Sequence, residues 1–210
     1  MALKIYKISE FNHKAKIGLF DELCKLLAER CEDGKEECIV VGNYNVEGVE
    51  IDAIVVTQYG VMFFDFKNGG GNIVAREVGE WTQNDHSVAG GAYGKSPMVN
   101  ARMMINRLRS SSSKLLGCQL SDAKVVVVFS MASSIDDSAL SESTKSWLTV
   151  CDINNIADVL DKALLGARVI SDEIFNAIPN HLCISQFDIH QGSANSYSGM
   201  YSPDGATDFF

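Results

Sequence analysis

Apolar and polar positions in the first third of the chain predict one helix followed by several strands. Residues 17–30 carry apolar side chains at helical spacing, namely Ile17, Phe20, Cys24 and Leu27. Beyond a polar break, three segments are rich in β-branched and aromatic residues, namely 38–46, 49–57 and 61–67. The short turn at residues 58–59 predicts that the last two segments form a hairpin.

The segment that follows predicts a turn, more strands and a second helix. The glycine run at residues 69–71 predicts a turn, and the alternation over residues 72–83 predicts a further pair of strands. Ser96 and Pro97 are typical of a helix start, with Ser as the cap and Pro at the first helical position. We therefore expect a helix over residues 98–109.

The remaining periodic segments predict an α/β fold. Residues 125–129 are wholly apolar, which is typical of a strand covered on both faces. Residues 149–151 predict a short strand, and residues 152–165 predict an amphipathic helix capped by Asp152. The order helix, strands, helix, strand, helix predicts a central mixed β-sheet flanked by helices.

Charge is distributed unevenly along the chain. The net charge of −9 is the sum of −1 from residues 1–135 (15 basic, 16 acidic) and −8 from residues 136–210 (3 basic, 11 acidic). Nucleic-acid binding depends on local basic surface, so the overall acidity does not exclude it. We expect a core at residues 1–165 and an acidic C-terminal extension at residues 166–210 with a tail rich in Ser and Gly.

Cysteines and apolar runs favour a cytoplasmic protein. The N-terminus lacks the apolar run of a signal peptide, and no segment has the length and apolarity of a membrane span. The six cysteines form no C-x-x-C pair, and we expect buried thiols instead of zinc ligands.

Four charged residues gather at one end of the predicted hairpin. Pairing through a two-residue turn sets Asp52 opposite Asp65 and Glu50 opposite Lys67, on a face that is otherwise apolar. A three-residue turn would offset them by one position and keep them neighbours. The opposite face is apolar too, with Ile51, Ala53, Val55, Met62, Phe64 and Phe66. Buried charges cost several kcal/mol each unless they pair or bind metal.

This cluster has two interpretations. Adjacent carboxylates favour a hard divalent cation such as Mg²⁺, and a nearby lysine is suited to activating water for attack on a phosphate. A buried salt-bridge network that only fixes the strand register is the alternative.

The sequence GVEIDAIVVTQYGVMFFDFKNGGGNI at residues 48–73, with Trp81 and the Ser96-Pro97 helix start, resembles the nuclease-related domain (NERD). This family is a branch of the PD-(D/E)XK nuclease-like superfamily. The resemblance runs from about Gly18 to Arg109 and implies a restriction-endonuclease-like core.

Residue by residue, the resemblance implies metal binding by Asp52 and Asp65, a catalytic Lys67 and an upstream helix glutamate at Glu22. The chain departs from the family pattern at three positions. These are Ile51 in place of proline, Asp65 where glutamate is commoner, and Asn100 where glutamine is expected.

The leading hypothesis is a metal-dependent nuclease that hydrolyses phosphodiester bonds of nucleic acid, with DNA as the expected substrate. Asp52, Asp65 and the carbonyl of Phe66 would hold Mg²⁺ or Mn²⁺, Lys67 would activate water, and Glu22 or Glu50 would assist. The alternative is a catalytically inactive nuclease-like domain that binds nucleic acid or a protein partner. The oligomeric state is left open.

A basic stretch predicts where the polyanion binds. No acidic residue occurs between His86 and Ser121, and phosphate contacts are expected at Lys95, Arg102 and Arg109. Asn100 lies in the same stretch and is a candidate accessory residue.

Overall fold

A mixed β-sheet runs through the protein, and helices cover both of its faces. The computed structural model describes residues 3–32, 37–46, 48–88, 96–115, 123–164, 167–184 and 189–191, which form nine strands in one sheet. The strands are β1 (Leu3–Lys7), β2 (Cys38–Val46), β3 (Val49–Thr57), β4 (Gly60–Arg76), β5 (Thr82–Gln83), β6 (His86–Ser87), β7 (Lys124–Ala139), β8 (Leu148–Asp152) and β9 (Ile189–Gln191). The helices are α1 (Lys14–Glu32), α2 (Pro97–Leu115), α3 (Glu142–Lys145), α4 (Ile156–Leu164) and α5 (Asp172–His181).

The long strand β4 is the centre of the sheet. Its first part pairs with β3 in an antiparallel hairpin, and β3 continues the sheet through β2 and β1 to β9. On its other edge β4 pairs with β7 in parallel, and β7 pairs with β8. The connection from β4 to β7 includes α2, as a parallel crossover requires. The predicted central mixed sheet flanked by helices is confirmed.

Two apolar layers sandwich the sheet. One combines Ile54, Phe63 and Val127 with α2 and α5, through Met104 and Phe175. The other combines Val55, Phe64 and Val128 with α1 and α4, through Leu23 and Leu160. Because adjacent residues of β3, β4 and β7 alternate between these layers, all three strands are buried on both faces, as the apolar composition of residues 125–129 predicted.

Several predicted elements are confirmed. Strands β2 and β3 have the predicted bounds. The hairpin pairs Thr57 with Gly60 and Ala53 with Phe64, so the predicted two-residue turn is confirmed. Asp152 caps the turn before α4 by accepting a hydrogen bond from the Asn154 N–H. Strand β7 is longer than predicted, and β1, α3, α5 and β9 were not predicted.

The prediction of a turn at residues 69–71 is wrong. Strand β4 continues through the glycines to Arg76, and its pairing with β7 shifts register on either side of Gly70. A Cβ on Gly70 would lie 2.8 Å from the Met131 carbonyl oxygen, and Gly71 has a φ of +80°. The glycines therefore permit a close, irregular strand contact where a turn was expected.

The predicted face of Ile51 is also wrong. Ile51 packs with Ile54 and Phe63, whereas Ala53 packs in the opposite layer. Across the sheet, Asn43 has a φ of 51°, and the pairing passes from Gly42–Ala53 to Tyr44–Ile51 around it. The two-residue alternation of β3 breaks at this irregularity, where Asp52 lies.

Part of the C-terminal segment packs on the sheet. Phe175 and Ile178 of α5 are buried in the α2 layer, and β9 pairs with β1. The domain boundary near residue 165 stays a prediction, and residues 192–210 lie outside the described residues.

Four thiols are buried as expected, at Cys24, Cys31, Cys38 and Cys151, whereas Cys183 is exposed and Cys118 lies outside the described residues. Within the described ranges, no helix is both long and apolar enough to cross a membrane.

We expect Gly70→Ala to lower the free energy of unfolding by about 1–3 kcal/mol, because the new Cβ meets backbone of β7 that cannot move independently. Chemical denaturation measures the change. Gly18→Ala in α1 is the matched control, since no atom lies within 4 Å of its Cβ position and alanine favours a helix by about 0.5–1 kcal/mol. Equal stability of the two variants would contradict the close contact of Gly70 with β7.

Candidate active site

The candidate site lies where β3 and β4 separate. Their pairing ends at Ala53–Phe64, one position before Asp52 and Asp65, while β4 continues beside β7 through Asp65–Val127 and Lys67–Phe129. The two strands therefore form a fork with a carboxylate at each branch. Neither predicted pair, Asp52 opposite Asp65 or Glu50 opposite Lys67, is part of the strand pairing, because the hairpin has already opened there.

Asp52 connects the two branches of the fork. Its side chain is 2% exposed, and its Oδ2 accepts a hydrogen bond of 2.7 Å from the Phe66 N–H. Burial, and next the Asp65 carboxylate, raise the pKa of Asp52 to about 6, against the opposing effects of Lys16 and the Phe66 N–H. The Asp52 side chain thus replaces a missing strand hydrogen bond, and with a pKa of about 6 its ionised form predominates at pH 7.

Asp65 is held by two side chains. Its Oδ1 lies 2.8 Å from Lys67 Nζ, and its Oδ2 accepts a hydrogen bond of 3.0 Å from Asn100 Nδ2. Asp65 is 3% exposed and Lys67 is 9% exposed. The structure thus brings Asp52, Asp65, Lys67 and Asn100 together, with Asn100 reaching in from α2.

Lys16, from the first turn of α1, is the residue that the sequence analysis missed. Its Nζ lies 2.6 Å from Asp52 Oδ1 and 3.5 Å from Glu50 Oε1. Burial lowers the pKa of Lys16, but the carboxylates of Asp52 and Glu50 outweigh this effect and the pKa is raised. Lys16 is therefore a protonated ammonium group in contact with the carboxylate pair.

A sequence signal for Lys16 exists. It precedes Phe20, Cys24 and Leu27 by four, eight and eleven residues, so it lies on the apolar face of α1. A lysine on a buried helical face needs an acidic partner, and Asp52 is the buried acid nearest to that face.

The donor set at the fork suits a hard divalent cation. Two buried carboxylates lie on the two branches of the fork, close enough for Asp65 to raise the pKa of Asp52, and each of their oxygens has accepting capacity beyond its one described contact. In an extended strand the N–H and C=O of one residue point to the same side. Since the Phe66 N–H points at Asp52, the Phe66 carbonyl also faces the fork.

Glu22 does not join this group in the described contacts. It lines a groove between α1 and the turn before α4, with Ser130 and Asn154 on the far wall. Glu22 is six residues beyond Lys16, which places it about 9 Å further along the helix axis. The described residues contain no cluster of three or more His, Cys, Asp or Glu side chains arranged to hold a metal ion.

Two of the three residues predicted to contact phosphate lie within the described part of the chain. Arg102 and Arg109 are exposed on α2, and Lys95 lies outside the described residues. Arg102 already contacts an acid, since its Nη2 is 3.4 Å from Glu77 Oε1. Glu77 also accepts hydrogen bonds from Ser141 and Thr144 and so ties α2 to the start of α3.

The family model of the nuclease-related domain matches residues 19–130 of the chain. This range contains Asp52, Asp65, Lys67 and Asn100, and it spans just over half of the 210 residues. A comparison with curated proteins and with solved structures found no match. The family model matches more than half of the chain, and the fold is a mixed sheet flanked by helices. The chain therefore belongs to the nuclease-related domain family, within the PD-(D/E)XK-like nuclease superfamily.

Proposed function

We propose that the protein is a metal-dependent nuclease that hydrolyses phosphodiester bonds of nucleic acid, with DNA as the substrate. The observation that carries this proposal is the fork, where Asp52 and Asp65 lie buried beside Lys67. Burying two carboxylates side by side is costly, and a divalent cation is the partner that offsets this cost best.

Asp52, Asp65 and the Phe66 carbonyl would hold Mg²⁺ or Mn²⁺. Bound there, the metal would supply an acidified water as nucleophile and charge stabilisation on the phosphate. Asp52 is held by Phe66 and Asp65 by Asn100, so both carboxylates are oriented before any ligand arrives. Preorganisation of this kind lowers the cost of binding in the correct geometry.

Lys67 would orient the attacking water and stabilise negative charge on the phosphate oxygens. Its side chain is nine-tenths buried, and its ammonium group is fixed by a 2.8 Å contact with Asp65. A fixed charge in a site of low dielectric stabilises a developing anion more strongly than a mobile, solvated one. Fewer observations support a catalytic role for Glu22. This residue lines a groove beside the turn before α4 and makes none of the described contacts at the fork.

The nucleic-acid backbone would contact the exposed basic side of α2. Asn100 is positioned at the site by the same helix that presents Arg109 outward. Arg102 is paired with Glu77, so it would have to exchange this partner for a phosphate. The salt dependence of binding reports such contacts directly.

A second candidate function is binding of nucleic acid without cleavage. The observation that favours it is the Lys16–Asp52 ion pair, because this contact neutralises a proposed metal ligand with a group of the chain itself. The two functions differ in whether metal binds and whether substrate is hydrolysed.

We expect Asp65→Asn and Lys67→Met each to reduce Mg²⁺-dependent cleavage of labelled single- or double-stranded DNA by about 100-fold or more, since each removes a group that acts on the reacting atoms. Gel or fluorescence assays of initial rates measure the loss. Asp161→Asn is the control, because Asp161 is 61% exposed and pairs with Arg30, which is not part of the fork. Undiminished cleavage by both site variants would exclude the proposed mechanism, and no cleavage by the wild type would favour the second candidate.

Mn²⁺ affinity should weaken about tenfold between pH 7 and pH 5. The pKa of Asp52 is raised to about 6, so at pH 5 about nine-tenths of this carboxyl carries a proton that metal must displace. Above the pKa the group is ionised and the affinity levels off. Isothermal titration calorimetry at both pH values measures this, with Asp52→Asn expected to bind weakly at either pH. An unchanged dissociation constant in the wild type would contradict a role for Asp52 as ligand.

A further inference from the structure

The contact between α1 and the fork is a part-buried ion pair between Lys16 and Asp52. The Lys16 side chain is 22% exposed and reaches Asp52, which is 2% exposed, at 2.6 Å. The same ammonium group lies 3.5 Å from Glu50, whose side chain is 46% exposed. Lys16 therefore bridges one buried and one half-exposed carboxylate.

The charges at the fork show what Lys16 does there. Asp52, Asp65 and Glu50 contribute three negative charges, and Lys16 and Lys67 contribute two positive ones. The cluster is therefore close to neutral without any metal. A divalent cation would bring it to +1 with Lys16 in place, but to zero if Lys16 were absent.

Lys16 and a bound metal ion would both contact the Asp52 carboxylate. The Asp52 carboxylate has one oxygen committed to the Phe66 N–H, so Lys16 takes the other at 2.6 Å. Two cations this close to one carboxylate repel each other strongly in a site of low dielectric. Glu50 offers Lys16 a second acceptor on the solvent side, which makes release of Asp52 less costly.

We propose that Lys16 is an internal counter-cation that holds Asp52 in the metal-free protein and competes with the divalent ion for it. This inference rests on the proposed metal site and adds to it a residue that sets its affinity. Lys16 is thus a positioning residue: it stabilises the Asp52 carboxylate when no metal is bound, and it weakens metal binding. It lies in the first turn of α1, before the range of residues 19–130 that the family model matches.

The test compares Mn²⁺ binding by calorimetry at pH 8.5 in the full chain, for the wild type and Lys16→Met, because loss of Lys16 raises the pKa of Asp52 further and the higher pH favours its ionised form. We expect the variant to bind about tenfold tighter or more, because the competing charge is gone. Lys14→Met is the matched control, since Lys14 lies on the same helix turn and is exposed. Its dissociation constant should stay within about twofold of the wild type, as expected for a screened surface charge.

A second readout needs no metal. In the presence of a chelator, Lys16→Met should melt about 5–10 °C below the wild type, because a buried carboxylate has lost its counter-ion. Added Mn²⁺ should close this gap, since the metal replaces the lost charge. If Lys16→Met does not fold, Lys16→Gln keeps a hydrogen-bond donor without the charge and carries the same expectation of tighter binding.

Each outcome decides between the claims. Tighter Mn²⁺ binding by the Lys16 variants than by the wild type supports competition between Lys16 and the metal for Asp52. Binding by the variants alone supports it as well. Equal or weaker binding by these variants, with a wild type that binds Mn²⁺, overturns the role of Lys16 and leaves the metal site standing. No binding by wild type or variants overturns the metal site itself and this inference with it.

Discussion

The candidate site depends on the hydrogen bond from the Phe66 N–H to the Asp52 carboxylate. Strands β3 and β4 stop pairing after Ala53–Phe64, and a buried N–H left without an acceptor would be costly. The Asp52 side chain supplies the acceptor, so a carboxylate is fixed inside the sheet at the point where the strands separate. The same bond turns the Phe66 peptide toward the fork and places Asp65 one residue away, on the opposite branch.

The charges follow from this constraint. The carboxylates of Asp52 and Asp65 repel one another at the fork. Burial, and next this repulsion, raise the pKa of Asp52 to about 6. Two lysines from different elements offset this repulsion: Lys16 from α1 contacts Asp52, and Lys67 from β4 contacts Asp65. The site is therefore built from both apolar layers, with α1 on one side and α2, through Asn100, on the other. Its low dielectric makes every one of these contacts sensitive to an added cation.

Local pattern predicted the hairpin and the carboxylate pair because both are encoded within twenty residues. The period of two, the short turn and the charged residues at one end led to Asp52, Asp65 and Lys67, and these lie together. Lys16 was missed because it comes from a helix 36 residues before Asp52, and the packing of α1 on the sheet cannot be deduced from the hairpin alone. The glycines of β4 were misinterpreted for a related reason, since only the contact with β7 shows why a strand needs Gly70. The face of Ile51 depended on Asn43, a residue on another strand with a positive φ.

The proposed function requires that Asp52 and Asp65 form a divalent cation site at the fork. Anomalous diffraction from crystals of the full chain soaked in Mn²⁺ tests it most directly. We expect an anomalous peak between the carboxylates of Asp52 and Asp65, within coordination distance of both and of the Phe66 carbonyl oxygen, at roughly 2.0–2.3 Å. A fully ordered fork with Lys16 still on Asp52 and no manganese beside either carboxylate would contradict it.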